Sequence, residues 1–275
     1  MSEWLFIQKI EKFRIMDLNL KGKKVFISGS TRGIGLATAR TLAKEGAEVV
    51  INGRSEDSVK DAVEKLKNEV PEGKISGIAC DFSEKEEIDK LIKELDRLDI
   101  LINNVGIFGP KDFGDISDEE WLEFYEVNVL SGVRLSRAFL PKMLKQDWGR
   151  IIFISSESGL NIPVEMIHYG MTKTAQLAIS RGLAEMTKGS NVTVNSVLPG
   201  PTFSDGVKKM VDADSKEEKE KAEEEFFQET RPTSLIQRFA DPQEVANMIA
   251  YVASPLSSAT NRASLRVDGG VVKYI

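Results

Sequence analysis

Val25-Phe26-Ile27-Ser28-Gly29-Ser30-Thr31-Arg32-Gly33-Ile34-Gly35 joins a short apolar run to a stretch, Ile34 to Ala43, with apolar residues at helical spacing. A strand that passes through a glycine-rich turn into a helix reads as the opening unit of a dinucleotide-binding fold. Glycines permit a tight turn and let phosphate approach the backbone. The helix N-terminus adds free N–H groups and the positive end of its dipole. Gly29, Gly33 and Gly35 follow the spacing G-x3-G-x-G rather than the commoner G-x-G-x-x-G. With Arg32 and Ile34 between them, they form the expected phosphate cradle.

Outward from this turn the alternation continues. Glu48 to Ile51, Ile75 to Ala79, Ile100 to Ile102, Arg150 to Ile154, Val192 to Val197 and Leu265 to Val267 read as strands. Between them lie helical patterns at Asp57 to Val70, Ser83 to Leu95, Ser117 to Gln146 and His168 to Lys188, with one more after Asp241-Pro242. Such alternation predicts an α/β fold: a single doubly wound Rossmann-type domain, its parallel sheet of about seven strands covered by helices on both faces. The domain is expected over residues 16–275. Residues 1–15, with the short apolar run Trp4 to Ile7, read as a surface extension or as sequence preceding a true start at Met16. They lack the apolar length and cleavage site of a secretory signal.

Composition bounds the function. The chain has 275 residues, 41% hydrophobic and 29% charged, which suits one large soluble domain. Its net charge of -6 offers no broad footing for nucleic acid, and no apolar run reaches membrane-span length. One cysteine, Cys80, excludes an internal disulfide and fits a reducing, cytoplasmic compartment. With a single histidine beside it, no metal cluster is expected.

The cofactor is argued from charge. An NAD site usually carries an acid near the end of its second strand. Here the sequence reads Ile51-Asn52-Gly53-Arg54. Arginine grips a 2′-phosphate that an acid would repel, and Arg32 adds a second positive charge. NADP(H) is therefore expected over NAD(H). Glu56 and Asp57 suit the first turn of the following helix.

Tyr169-Gly-Met-Thr-Lys173 places a phenol and an ammonium one helical turn apart. A phenol titrates near pKa 10, and bringing it to about 7 requires roughly 4 kcal/mol. An ammonium about 4 Å away, at an effective dielectric near 20, supplies about that much. Tyr169 is thus a candidate acid/base with Lys173 as its tuner.

The glycine turn, Asn103-Asn104-Val105-Gly106, Ser156 and Tyr169-x3-Lys173, all in order, resemble the short-chain dehydrogenase/reductase family over about residues 18 to 275. Ser156 lies thirteen residues before Tyr169, as the family's pattern requires, and Asn128 matches its fourth catalytic position. The resemblance implies that Tyr169 exchanges a proton with a carbonyl or alcohol oxygen that Ser156 holds. Lys173 would bind the nicotinamide ribose, and Asn128 would hold a water linking Lys173 to solvent. It implies cofactor contacts at Asp81, Asn103, Gly106, Pro199, Thr202 and Ser204, and a homo-oligomer, tetramer or dimer, built on the two long helices. Ser28 and Val105 depart from the usual threonine and alanine, and Ser204 stands where threonine is common.

Glu157, Leu160, Ile162, Val164, Phe203, Phe226 and Phe227 are expected to line the substrate pocket. His168 is expected to pack as pocket wall, about 100° around the helix from Tyr169. The charged run Val211 to Glu229 interrupts the alternation where open α/β sheets bind ligands, so about residues 202–236 read as a lid or substrate segment. The leading expectation is an NAD(P)H-dependent oxidoreductase acting on a small carbonyl or alcohol. A 3-oxoacyl-carrier-protein reductase is the alternative, with Arg134 and Lys188 available to an acidic carrier. A non-catalytic NADP(H)-sensing or scaffold protein is the alternative of another class.

Overall fold

The computed structural model describes residues 16–204 and 216–275. Strands β1 (Lys24–Ile27), β2 (Glu48–Gly53), β3 (Lys74–Ala79), β4 (Ile100–Asn103), β5 (Gly149–Ile154), β6 (Val192–Pro199) and β7 (Ser264–Val267) form one sheet, ordered β3-β2-β1-β4-β5-β6-β7. Every neighbouring pair is parallel. Helices α1 (Gly33–Lys44), α2 (Glu56–Glu69) and α3 (Lys85–Leu95) follow the first three strands. Then come α4 (Asp118–Tyr125), α5 (Ser131–Lys145), α6 (Ile167–Glu185), α7 (Lys216–Glu229) and α8 (Pro242–Ala253).

Alternation along the strands divides the core. Val25, Ile27, Val49 and Ile51 face one side, with Leu42 of α1, Leu66 of α2 and Ile249 of α8. Phe26, Val50, Leu101 and Phe153 face the other, with Leu91 of α3 and Phe139 of α5. Both faces are buried, as crossover helices on each side of a parallel sheet require. The strand order reverses between β1 and β4, opening a crevice at their C-terminal ends. That crevice holds the site.

The expected helix from Ser117 to Gln146 runs without a break through α4, a π segment and α5. Between α4 and α5 the backbone forms a π-turn, Glu126–Leu130, in which the Ser131 N–H bonds the Glu126 carbonyl, five residues back. The bulge turns carbonyls out of the helical ladder. The Val127 carbonyl accepts from Ser131 Oγ (2.6 Å) and the Asn128 carbonyl from Gln176 Nε2 (2.6 Å). Hydropathy spacing does not register one extra residue in a turn, and such bulges often mark functional positions.

The expected extension, residues 1–15, and part of the expected lid, 205–215, lie outside the described residues. The remainder of the charged run is α7, whose Lys221 and Glu225 form an exposed ion pair of 3.7 Å. Near its C-terminal end Phe226 and Phe227 pack on Phe239, with ring centroids 4.9 and 5.2 Å apart. Phe203 adds a further ring at 5.9 Å from Phe239. This aromatic cluster seats α7 at the rim of the crevice.

Candidate active site

The glycine turn has the conformation its residues foretell. Gly29 and Gly33 adopt φ of +59° and +56°, the left-handed region that a side chain disfavours. A Cβ on Gly35 would lie 2.6 Å from the Gly29 carbonyl and 2.7 Å from Asn104 Nδ2, so the start of α1 closes on the turn only with glycine there. Helix α1 has no side-chain cap at Arg32 and no acid in its first turn. Its leading N–H groups and dipole are therefore available to an anion, and these residues fit a dinucleotide pyrophosphate. Polar side chains brace the turn. Asn52 Oδ1 accepts from the Gly29 N–H at 2.9 Å, and Asn104 Nδ2 donates to the Gly29 carbonyl at 2.7 Å. Ser28 Oγ accepts from the Asn104 and Val105 N–H groups at 2.9 and 3.0 Å, so serine here keeps the hydroxyl's task.

Arg32 and Arg54 are exposed at the ends of β1 and β2. Asp81 follows β3, and its carboxylate accepts from the Ser83 N–H and hydroxyl. Asn103 is buried, and its amide donates to Ser136 of α5 at 3.2 Å, tying β4 to that helix. In a strand successive side chains alternate faces, so its neighbour Asn104 reaches the crevice.

A cleft of about 530 Å³ opens beyond the turn. Ile34, Gly106, Pro199, Thr202 and Ser204 line it, together with Ser156, Tyr169 and Lys173. Ser156 ends the backbone run after β5, where its Oγ accepts from the Ser158 N–H at 3.1 Å. Tyr169 and Lys173 stand in successive turns of α6, with Lys173 Nζ 5.5 Å from the phenol ring centroid. The nearby Asn128 side chain accepts from the Ile107 N–H (2.7 Å) and donates to Thr172 Oγ1 (3.0 Å). A Cβ on Gly106 would stand 3.5 Å from Lys173 Nζ, so glycine leaves the lysine head open.

Two features here go beyond the sequence-based expectations. The Asn128 carbonyl is taken by Gln176 Nε2, while Gln176 Oε1 stands 3.4 Å from Lys173 Nζ. Gln176 thus joins Asn128 to Lys173 directly. It lies three residues beyond Lys173 on the same helical face, so its spacing could have flagged it. Lys173 also does not by itself lower the phenol. Burial pushes Tyr169 up to about 12, against the opposing pull of its hydrogen bond with Ser156. Burial likewise brings Lys173 down to about 7. A Coulomb sum at high dielectric omits the cost of desolvating the ammonium, and here that cost dominates.

A pH dependence follows. Between about pH 7 and 10.5 the unfolded chain holds a proton on this lysine that the folded chain does not. Stability therefore rises with pH across that window, and the penalty is fully present below about 7. Relative to a Lys173→Met variant, the wild type gains unfolding free energy from pH 7 to pH 9.5 in urea titrations. A constant difference would contradict the assignment.

On the far wall Arg231 is buried with two glutamates. Its Nε donates to Glu157 Oε1 at 2.9 Å and its Nη1 to Glu165 Oε1 at 3.0 Å. Sequence reasoning missed Arg231, which lies 74 residues from Glu157 in the chain. Of the expected pocket residues, Glu157 and Phe226 line the cleft. Ile162 and Val164 are exposed, and Phe227 is buried in the aromatic cluster. His168 packs on Phe124 and Trp121, with ring centroids 4.0 and 6.0 Å away, and burial lowers its pKa.

A seven-stranded doubly wound sheet with a phosphate turn leading into a Ser-Tyr-Lys cleft defines a nicotinamide-dependent oxidoreductase. The chain belongs to the short chain dehydrogenase family, whose profile matches residues 23–215. It is 47% identical over 263 residues to the uncharacterized oxidoreductase YvaG of Bacillus subtilis (strain 168), covering 94% of this chain and 100% of that protein. It is 35% identical over 260 residues to the 3-oxoacyl-[acyl-carrier-protein] reductase FabG of Aquifex aeolicus (strain VF5), covering 93% and 100%. Among solved structures, L-sorbose reductase from Gluconobacter frateurii, complexed with NADPH and L-sorbose, superposes with a TM-score of 0.87. Its identity is 29%, and the match covers 94% of this chain and 100% of that one. No helix among the described residues is long and apolar enough to cross a membrane.

Proposed function

We propose that this enzyme is an NADPH-dependent carbonyl reductase in which Asn128, Ser156, Tyr169 and Lys173 carry the chemistry. The observation behind this reading is the meeting of Ser156, Tyr169 and Lys173 in one cleft whose other side is the phosphate turn. When bound there, NADPH supplies hydride to the carbonyl carbon. The Ser156 hydroxyl donates to the carbonyl oxygen and stabilises its developing charge. Tyr169 then passes its phenolic proton to that oxygen, so ketone, hydride and proton become alcohol.

Burial suits the phenol to this direction. A proton held as tightly as pKa about 12 still moves readily to an alkoxide, which is more basic than a phenolate. Withdrawing a proton from an alcohol at neutral pH would need the phenol ionised first. Reduction is the direction in which the protonated phenol is the immediate proton donor. Lys173 is proposed to bind the nicotinamide ribose and, through Gln176 and Asn128, to restore the proton.

NADP(H) is favoured by two exposed arginines, Arg32 and Arg54, with no acid at the end of β2. The solved L-sorbose reductase holds NADPH, which accords with that choice. The remainder of the lid segment, α7 with its aromatic anchors, is proposed to close the substrate side. A homo-oligomer is proposed on α4, α5 and α6, where exposed Leu122 and Tyr125 offer apolar surface; light scattering reads it directly.

The carrier-protein reductase reading keeps support from the FabG relative. Against it, Arg134, one of the two basic residues offered to a carrier, is ion-paired with Glu126. Oxidation of NADPH by a panel of small ketones tests the proposal. Turnover of carrier-bound 3-oxoacyl groups alone would favour the second reading. Tight NADPH binding with no turnover of either would favour a sensing role.

Gln176→Leu removes the bridge without touching Tyr169. A fall in kcat of about tenfold, with little change in KM for NADPH, is expected from the loss of one buried hydrogen-bonded bridge. Steady-state kinetics measure it, and an unchanged kcat would remove Gln176 from the relay.

A further inference from the structure

From the wall facing Tyr169 we infer that the substrate is an uncharged carbonyl compound bearing a hydroxyl group near the reacting carbon, held by Glu157 and Arg231. This rests on the carbonyl-reductase reading above. Glu157 directly follows Ser156 in the chain, so its carboxylate starts one residue from the group proposed to hold the carbonyl oxygen.

One atom in this group is buried and unsatisfied among the described residues, Glu157 Oε2. Glu157 is nine-tenths or more buried, and its Oε2 has no hydrogen-bond partner while Oε1 accepts from Arg231 and Ser158. Arg231 spends Nε and Nη1 on Glu157, Glu165 and the Thr230 carbonyl, and its guanidinium also lines the cleft. A buried carboxylate oxygen without a donor is costly unless something supplies one. An alcohol oxygen can donate to the carboxylate and accept from the guanidinium at once.

Charge argues which alcohols. Lys173 and Arg231 are the basic side chains among the lining residues, against the carboxylates of Glu157, Glu165, Glu225 and Glu229. Glu157 and Glu165 already engage Arg231, so no net positive charge remains for a substrate carboxylate or phosphate. Keto acids and sugar phosphates are disfavoured. Plain alkyl ketones would leave the polar pair unmet, and sites built to bond a hydroxyl discriminate strongly against analogues that lack it.

Initial rates with NADPH and the full-length enzyme on 2-butanone, 1-hydroxy-2-butanone and 2-oxobutanoate test the inference. The expected kcat/KM for the hydroxyketone exceeds that for the plain ketone by about 10- to 100-fold, with the keto acid lowest. The hydroxyl also activates the carbonyl chemically, so the ratio is compared with that of E157Q/R231M. This double variant removes both buried charges together and leaves only the partly exposed Glu165 without its arginine. There the hydroxyketone advantage falls at least about tenfold. A ratio unchanged in the double variant, or a wild-type preference for the plain ketone or keto acid, overturns the inference while leaving carbonyl reduction standing. No NADPH oxidation with any of the three overturns both. If the double variant fails to fold by circular dichroism, the wild-type order of the three substrates decides.

Discussion

Replacing Tyr169 with phenylalanine lowers kcat/KM for ketone reduction by about 10²- to 10⁴-fold, the range that one positioned general acid contributes. The change removes a single oxygen and keeps the ring that packs against Phe108, with centroids 6.1 Å apart. Helix α6 and the cleft should therefore persist. NADPH binding, followed by fluorescence, is expected to stay close to that of the wild type, because the phosphate turn and both arginines are untouched. The loss should fall on kcat, since the proton moves during reaction rather than on binding. A Tyr169→Phe enzyme retaining more than a tenth of its activity would assign the proton to another group.

The second large effect concerns the cofactor. Arg54→Asp places a carboxylate where the 2′-phosphate of NADPH is proposed to lie. It removes a charge-assisted donor and adds repulsion. A loss of about 10²-fold in kcat/KM for NADPH follows from the ordinary strength of such a contact. NADH lacks the 2′-phosphate, and an acid at the end of the second strand can accept from its ribose hydroxyl. Its use should hold or improve. Arg54 is exposed, so the substitution should leave the fold intact. Equal weakening of both cofactors would remove Arg54 from the phosphate contact.

Much of the site was legible because local spacing sets it. One helical turn brings Tyr169 and Lys173 onto neighbouring positions whatever the helix packs against. The glycine turn is similar, since positive φ at Gly29 and Gly33 is a property of the backbone at those residues. The family's pattern drew the same residues together and extended to Asn128 and Ser156. Less was legible where long-range packing intervened. Strand alternation sends the Asn103 amide to Ser136 and the Asn104 amide to the Gly29 carbonyl, a division that spacing alone does not show. The helix over Ser117 to Gln146 was legible, but its π segment was not, because one inserted residue hardly disturbs an apolar stripe.

The amino-acid sequence by itself determined the doubly wound fold, the phosphate turn and the family, because hydrophobic periodicity and glycine conformation are written residue by residue. Tertiary structure alone decided the electrostatics. Whether Lys173 tunes Tyr169 depends on how far each is desolvated, and burial moves them apart, the phenol up to about 12 and the ammonium down to about 7. It alone brought Arg231, from beyond α7, against Glu157 after β5 and left Glu157 Oε2 buried without a partner among the described residues. Desolvation and pairing between distant residues depend on the packed whole, and no spacing along the chain encodes them.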